Sequence, residues 1–415
     1  MKLNLEIRPI LVSLLRNKIG PLLVAIQIAI SLAILVNAIY IVNLRLQVVA
    51  RPSGITDEQN VFRLNVSNQK MGDHHDQLTM QKKETDIIRS VPGVISVART
   101  NSTPLSQSGS MNSVAADRSQ VNPTTNSAIY ISPDSLVKTW GLKLIEGRDF
   151  ASNEIAEIDQ NADNEYPGIV IVSKALAQKL FPDQTHYVGK QFYFGTGEGA
   201  PSVRIIGVVD TLQSSGAQWG EDGEMSTLIP VRLTNDTYSG YTVRVAPGQI
   251  ERVMRDAAEA LRKASPTPIN VISKKVSEFR NERYRSEKGM AWMLIVVSVL
   301  LVIVTASGIV GMSSLWVSQR VKQIGIRRAL GARRVDILRY FISENILITT
   351  GGLAAGLLLA LALNQLLVSQ FELSHLPAIY LLLAPLVFWL LGIIAVLGPA
   401  WRAARVTPAT ATRSV

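Results

Sequence analysis

The sequence predicts an α-helical membrane protein with four transmembrane helices and one large α+β extracytoplasmic domain, a split β-α-β sheet domain with a β-rich insertion. Three observations support this prediction. Apolar residues make up 47% of the 415-residue chain and concentrate toward its two ends. Lysine and arginine greatly outnumber acidic residues in the segments on one side of the apolar stretches. The polar middle of the chain alternates strand-like and helix-like patterns, as a folded α+β domain does.

Four apolar stretches are long enough to form membrane-spanning helices, because a helix needs ~20 mostly apolar residues to cross the hydrocarbon core. The first stretch is too long for the apolar core of a signal peptide and lacks a convincing cleavage site, so we interpret it as a retained anchor. The predicted helices TM1 to TM4 span residues 19–44, 289–317, 341–368 and 378–398.

The basic residues predict the orientation, since Lys and Arg resist translocation and mark cytoplasmic loops. The three segments predicted to be cytoplasmic contain fourteen Lys and Arg and only two acidic residues; they are 1–18, 318–340 and 399–415. The short outer loop 369–377 contains neither Lys nor Arg. We therefore expect a multi-pass membrane protein with both termini cytoplasmic. The net charge of +10 follows from this topology and from contact with anionic lipids, so the sequence indicates no nucleic-acid partner.

The region between TM1 and TM2, residues 45–288, is expected to be a periplasmic core domain. Two β-α-β halves at 61–102 and 241–272 predict one four-stranded sheet, with 103–240 as an insertion. The Ser, Asn and Thr-rich stretch 101–126 opens the insertion and is expected to be a mobile loop.

A charged stretch precedes TM2. Residues 274–288 contain neither Pro nor Gly, and Val276, Phe279 and Tyr284 recur at near-helical spacing. We expect this stretch to extend TM2 outward as a continuous helical stalk, beside residues 44–50 leaving TM1.

The segment 318–340 alternates basic and apolar residues and contains the candidate site. A short amphipathic helix against a partner or the membrane would show this pattern, and so would a basic loop that only sets topology. From chemistry alone both readings stay open. The candidate site residues are Gln323, Ile324, Gly325, Ile326, Arg327, Arg328, Ala329, Leu330, Gly331 and Ala332.

The sequence of these residues, Gln-Ile-Gly-Ile-Arg-Arg-Ala-Leu-Gly-Ala, resembles the signature Glu-Ile-Gly-x-x-Arg/Lys-Ala-Leu/Val/Met-Gly-Ala of MacB/FtsX-type (type VII) ABC transporter permeases. Asp336, Ile337 and Glu344 follow as in that family, and Pro-Ala-Trp-Arg-Ala-Ala-Arg at 399–405 resembles the family's ending. Residues 131–209 are similar to the periplasmic core domain of MacB-like permeases.

The resemblance implies a permease subunit that couples ATP hydrolysis by a separate cytoplasmic ATPase dimer to motion of its periplasmic domain, a mechanism called mechanotransmission. It implies export of a periplasmic substrate such as a peptide, toxin, siderophore or lipoprotein. The implied partners are a second permease copy or paralogue, a periplasmic adaptor and an outer-membrane channel. The alternative is a non-transporting FtsX-like relay that activates an envelope enzyme.

In this reading Ile324, Ile326 and Leu330 fill a groove on the ATPase, and Arg327 and Arg328 meet its acidic rim. Two departures from the family pattern are Gln319 and Gln323, where the family has Glu. Drift at a surface explains them, and so does pairing with an unequal partner permease that keeps the acidic residues.

The sequence contains no Gly-x-x-x-x-Gly-Lys-Ser/Thr phosphate loop, so we expect no enzyme activity from this chain, with ATP and Mg bound by the partner ATPase. The Gly-rich 195–199 is read as a hairpin turn. The sequence Asp-His-His-Asp at 73–76 offers metal ligands, but a solvated loop is favoured over a metal site. The absence of cysteine excludes disulfides and a thiol nucleophile.

Polar and small residues within the predicted membrane helices have two readings, a polar substrate path or helix packing. Gln27 and Ser31 share a face of TM1, and Gly352 and Gly356 form a small-xxx-small pair in TM3. Helix packing is favoured, because the predicted spans carry no ionisable residue deep inside them.

Overall fold

The computed structural model describes residues 14, 18–68, 72–162, 167–217, 221–235, 240–371 and 375–405. The chain divides into two compact units. The helical unit comprises Met1–Val49 and Glu287–Val415, and the α+β domain comprises Ala50–Ser286.

The described α-helices are α1 Ile19–Ala50, α2 His74–Ser90, α3 Leu136–Trp140, α4 Lys174–Leu180, α5 Ile250–Ala264, α6 Val276–Arg283, α7 Arg285–Gln319, α8 Val321–Ala329, α9 Arg334–Phe371 and α10 Ala378–Ala404. The described strands are β1 Val61–Asn68, β2 Val94–Thr100, β3 Ser110–Ala115, β4 Thr125–Ile131, β5 Leu144–Gly147, β6 Ala156–Asp159, β7 Ile169–Ser173, β8 Gln191–Phe194, β9 Ser202–Val209, β10 Ser226–Ile229, β11 Val231–Thr234, β12 Gly240–Val245 and β13 Ile269–Lys275.

Four helices, α1, α7, α9 and α10, are long and apolar enough to cross a membrane, which confirms the predicted fold class. Each of them extends beyond its predicted span at one or both ends. The helical hydrogen bonds continue after the apolar residues end, so α1 runs to Ala50 and α9 begins at Arg334. A hydropathy pattern marks where the hydrocarbon core ends, whereas the helix itself ends where its backbone bonding stops.

Small and polar side chains join the helices of this unit. A Cβ on Gly352 would lie 2.8 Å from the carbonyl oxygen of Ala25, so α9 and α1 approach closely there. Gln27 Nε2 donates to the Val304 carbonyl at 3.1 Å, and Thr305 Oγ1 donates to Ser31 Oγ at 2.8 Å. These bonds run between helices, as the packing interpretation predicts.

In the α+β domain, one antiparallel sheet has the strand order β13-β1-β12-β2. Its strands come from the two ends of the domain, and β1 pairs with both β12 and β13. The strands carry apolar residues toward helices α2 and α5, whose Ile88 and Val253 are fully buried beside Phe62 and Tyr241. This is the split β-α-β arrangement that the sequence predicts.

The residues between the two halves form a second sheet with the order β5-β9-β7-β10-β4-β3-β8, and an additional pairing of β8 with β9 closes six of these strands into a barrel. Its interior is apolar and includes Val170, Phe192 and Ile205. The Gly-rich residues 195–199 connect β8 to β9, which are antiparallel, so the predicted hairpin turn is confirmed.

Two loop predictions are wrong. The stretch 101–126 contains strand β3, whose Val114 is fully buried in the barrel, because its apolar residues complete the closed sheet. Residues 73–76 start helix α2, where Asp73 Oδ1 accepts a hydrogen bond from the backbone N–H of Asp76 at 2.9 Å. Nδ1 of His74 lies 2.8 Å from Thr234 Oγ1.

The prediction of a continuous helical stalk at residues 274–288 is also wrong. Lys274 and Lys275 end strand β13, and α6 stops before Tyr284, after which α7 begins. The helix breaks because the side chains at near-helical spacing pack into the domain: Val276 and Phe279 are buried, and the ring of Tyr284 is buried at the break itself.

Candidate functional site

Helix α8 contains most of the candidate residues and lies between α7 and α9. Helix α7 ends where the Arg320 N–H donates to the Trp316 and Val317 carbonyls, and α8 begins where the Ile324 N–H donates to the Arg320 carbonyl at 2.9 Å. Arg320 therefore stands at the joint between two helices. The sequence predicts an amphipathic helix or a topology-setting loop here, and the chain forms the helix.

A glycine ends α8. Gly331 has φ of +98°, a left-handed conformation that favours glycine. Its N–H donates to the Arg328 carbonyl at 3.2 Å, and the Ala332 N–H donates to the Arg327 carbonyl at 3.0 Å. These two bonds form a Schellman cap, which satisfies carbonyl groups at the helix end. The second glycine of the motif, Gly331, thus has a specific backbone role.

The candidate residues divide between two faces of α8. Ile324 is 5% exposed and Gly325 is buried, whereas Ile326 is 53% exposed and Leu330 is 83% exposed. Gln323 is exposed as well, and its spacing to Ile326 and Leu330 places the three on one helix face. We call Gln323, Ile326 and Leu330 the exposed stripe.

The expectation that Ile324 contacts a partner is therefore wrong. Its side chain packs in the core of the helical unit with Ile337, Phe341 and Ala403. The alternation of basic and apolar residues does not show which apolar residue faces inward, because α9 and α10 decide that.

The two candidate arginines also differ. Arg328 Nη1 donates to the Ala404 carbonyl at 2.7 Å, at the C-terminal end of α10, where the helix dipole favours a cation. The Arg327 guanidinium lies 4.9 Å from the ring centre of Tyr340, and Arg327 remains exposed. Of the two, Arg327 is the one placed to meet an acidic surface.

A small, partly open cavity of about 30 Å³ lies between α8 and the start of α9. Gln323 and Arg327 of α8 and Tyr340 of α9 contribute to its lining. A gap of this size is about one water molecule, and beside it α8 contacts α9 through Ile324 and Arg327.

An ion pair that the sequence reasoning missed also holds this region. Arg320 Nη1 lies 2.9 and 3.0 Å from the two carboxylate oxygens of Glu344, and Glu344 is 1% exposed. Glu344 lies three residues after the first residue of predicted TM3, 341–368, so it is not one of the deep positions that the sequence prediction concerned. The sequence signal for this ion pair is a carboxylate within an apolar helix, because such a residue needs a charged partner.

Two family models match the chain. Residues 22–261 match the MacB-like periplasmic core domain, and residues 295–408 match the FtsX-like permease C-terminal domain, which includes α8.

Curated relatives agree with these matches. The macrolide export ATP-binding/permease protein MacB of Agrobacterium fabrum is 27% identical over 65% of this chain and 40% of its own length. The pyoverdine export ATP-binding/permease protein PvdT of Pseudomonas syringae pv. syringae is 28% identical over 65% of this chain and 40% of its own length. The match thus spans about 40% of the length of both relatives.

The extracellular domain of the ABC-type transporter YknZ from Gram-positive bacteria is a solved structure with 18% identity and a TM-score of 0.33, covering 51% of this chain and 100% of that domain. The family model of the MacB-like periplasmic core domain alone matches more than half of the 415 residues. The FtsX-like family model matches the C-terminal helices. The chain therefore belongs to the family of MacB-like and FtsX-like ABC transporter permeases.

Proposed function

We propose that this chain is a permease subunit of the bacterial inner membrane that docks a separate cytoplasmic ABC ATPase dimer on the exposed stripe of α8. The observation that supports this most directly is the stripe itself. Ile326 and Leu330 are large apolar side chains held out from the helical unit on a short, capped helix. Burying such side chains against a partner would contribute favourable binding free energy, in proportion to the apolar area removed from water.

The charges around the stripe define the partner surface. Arg327, Lys322 and Arg333 are exposed around Ile326 and Leu330. A complementary partner would present an apolar groove with an acidic rim, because opposite potentials raise association rates and exclude wrong partners. ATP and Mg are bound by that partner, and the purified chain alone is expected to show no ATP turnover.

The proposed work is mechanotransmission. ATP binding would draw two permease copies, or this chain and a paralogue, toward each other, and the long helices would carry the motion to the periplasmic domain. Helix α7 presents an exposed apolar row at helical spacing, Trp292, Val296, Leu300 and Ile303, for lipid or for a second copy.

The proposed substrate is a periplasmic peptide, toxin, siderophore or lipoprotein, passed to a periplasmic adaptor and an outer-membrane channel. Support comes from the relatives, one of which is named for macrolide export and another for pyoverdine export. Two proteins named for export are therefore similar to this chain over 65% of its length.

The test replaces Ile326 and Leu330 by Asp in the tagged full-length chain, produced in its own host. Docking would bury two unpaired carboxylates, which costs several kcal/mol. The I326D/L330D variant should reach the membrane at wild-type levels and lose the co-purifying ABC ATPase.

A matched control is I95D/I272D, which places two carboxylates at similarly exposed apolar positions of the α+β domain. This control should retain the ATPase. Wild-type ATPase stoichiometry with I326D/L330D would show that the stripe is not the docking element.

The alternative function is an FtsX-like relay that activates an envelope enzyme without transport. The match of residues 295–408 to the FtsX-like permease C-terminal domain supports considering this relay function. Co-purification of a periplasmic adaptor and channel would support export, whereas co-purification of an envelope hydrolase would support the relay.

A further inference from the structure

The ion pair between Arg320 and Glu344 joins the start of the short helix α8 to helix α9. Arg320 has φ of −109° and ψ of 12°, so it lies outside both α7 and α8, at the joint itself. Its guanidinium points into the helical unit, to the carboxylate of Glu344 on α9. Glu344 lies ten residues after the first residue of α9, about 15 Å along the helix axis.

Other described contacts also orient α8. Ile324 packs into the core, Arg327 stacks on Tyr340, and Arg328 bonds to the end of α10. A small gap lies beside Gln323 and Tyr340, between α8 and α9. Apolar packing has no preferred direction, whereas a charge-assisted hydrogen bond does.

A buried ion pair is weak evidence for net stability, because removing two charges from water offsets much of their attraction. The best-attested role of such a pair is to select one arrangement over others. Here the arrangement concerned is the direction of α8. The exposed stripe begins three residues after Arg320, so rotation about the joint would turn Ile326 and Leu330 away from a docked partner.

We propose that Arg320 and Glu344 are positioning residues that hold α8 at the angle at which its exposed stripe meets the ATPase. This inference rests on the proposed function for its biological meaning, but the orientation of α8 is a property of the permease alone. Without the pair, α8 still forms, because its Schellman cap is independent of Arg320. The helix then samples several directions, of which one binds.

The first measurement needs no ATPase. The chain has no cysteine, so spin labels can be attached to Ala329→Cys on α8 and Arg339→Cys on α9 in the full-length protein. Both positions are exposed and lie outside the stripe and the ion pair. The unaltered background should give one narrow distance distribution, and R320Q/E344Q, which leaves no unpaired charge, should give a broad one.

Two further variants keep the measurement decisive. R320M/E344L is used if the double amide variant does not accumulate, since apolar side chains of similar size replace both buried charges, and it should also broaden the distribution. K322Q removes an exposed positive charge from α8 without touching the pair and should leave the distribution narrow. A narrow distribution in R320Q/E344Q or R320M/E344L would overturn the inference.

The second measurement is retention of the ABC ATPase by the same variants without labels. If α8 is in the binding direction a tenth of the time, the apparent affinity falls about tenfold. We expect that loss for R320Q/E344Q, whereas I95D/I272D, whose changes lie in the α+β domain, should retain the ATPase. Broadened distances with full ATPase retention would contradict the docking site on α8, while the positioning of α8 by the pair would stand.

Discussion

The hydroxyl of Tyr284 donates a hydrogen bond to Oε1 of Gln213 over 3.2 Å, and each residue is 1% exposed. Tyr284 is the residue at which α6 gives way to α7. The backbone N–H of Gln213 donates to the Ser53 carbonyl at 2.9 Å, on the segment that follows α1. The segments that enter and leave the α+β domain therefore both contact the loop that contains Gln213.

That loop supports strained backbone elsewhere in the domain. Leu105 and Gln107 have φ of 69° and 58°, values that cost energy for residues other than glycine. Their N–H groups donate to the carbonyls of Ser214 and Ser215 at 3.3 and 2.9 Å. A change at Tyr284 is thus two contacts away from residues 105–107.

Truncation of Tyr284 should loosen the loop that contains Gln213 and, through it, the backbone at residues 105–107. Y284A removes a buried ring and should lower the free energy of unfolding by about 3–5 kcal/mol, whereas Y284F loses one hydrogen bond, about 1 kcal/mol. Hydrogen exchange of the Leu105 and Gln107 amides in the full-length protein in detergent should accelerate in Y284A. The control Y187A truncates another buried tyrosine, in the barrel, and should leave exchange at these amides slow. Slow exchange in Y284A would mean that the side chain of Tyr284 does not support the loop that contains Gln213.

Glu84 should make stability depend on pH. Burial raises the pKa of Glu84 above 4.5, and the hydrogen bond from Tyr241 and the charge of Arg99 oppose this only in part. The unfolded chain therefore ionises first, and the free energy of unfolding should decrease as pH rises from 4.5 toward the folded pKa. E84Q should remove this decrease and be the more stable form above that window.

Unfolding midpoints across pH in one detergent measure this effect. E251Q is the control, because Lys275 lowers the pKa of Glu251 through a hydrogen bond, which gives the opposite sign. Parallel pH curves for the wild type and E84Q would contradict the prediction.

Neighbouring glycines of α9 should respond oppositely to alanine. In G352A the added Cβ meets the Ala25 carbonyl at 2.8 Å, so α1 and α9 must separate, at about 1–3 kcal/mol. In G351A the Cβ meets no described heavy atom within 4 Å, and alanine favours a helix by about 1 kcal/mol. The unfolding midpoint should fall in G352A and not in G351A. Equal midpoints would show that the two helices do not pack closely at Gly352.

The orientation is tested by single cysteines. Ser110 and Ser318 are both exposed, and the wild-type chain has no cysteine to react. In intact spheroplasts, an impermeant maleimide should label S110C and not S318C, and after lysis it should label both. Labelling of S318C alone before lysis would reverse the proposed topology.

At the candidate site, the local sequence pattern predicts some features and not others. The spacing of apolar and basic residues predicts an amphipathic element at 318–340, and the motif locates it at Gln323 to Ala332. It does not separate Ile324 from Ile326, because burial depends on α9 and α10 packing against one side of α8. Nor does it pair Arg320 with Glu344, which are 24 residues apart in the chain.

The sequence by itself determined the four membrane helices, the split sheet and the family, because hydrophobic length, strand period and a contiguous motif are all local properties of the chain. Only the tertiary structure decided the closure of the barrel by β8 and β9, the break at Tyr284 and the direction in which α8 presents its stripe. Each of these depends on contacts between residues distant in sequence, where packing and hydrogen bonding override local preference.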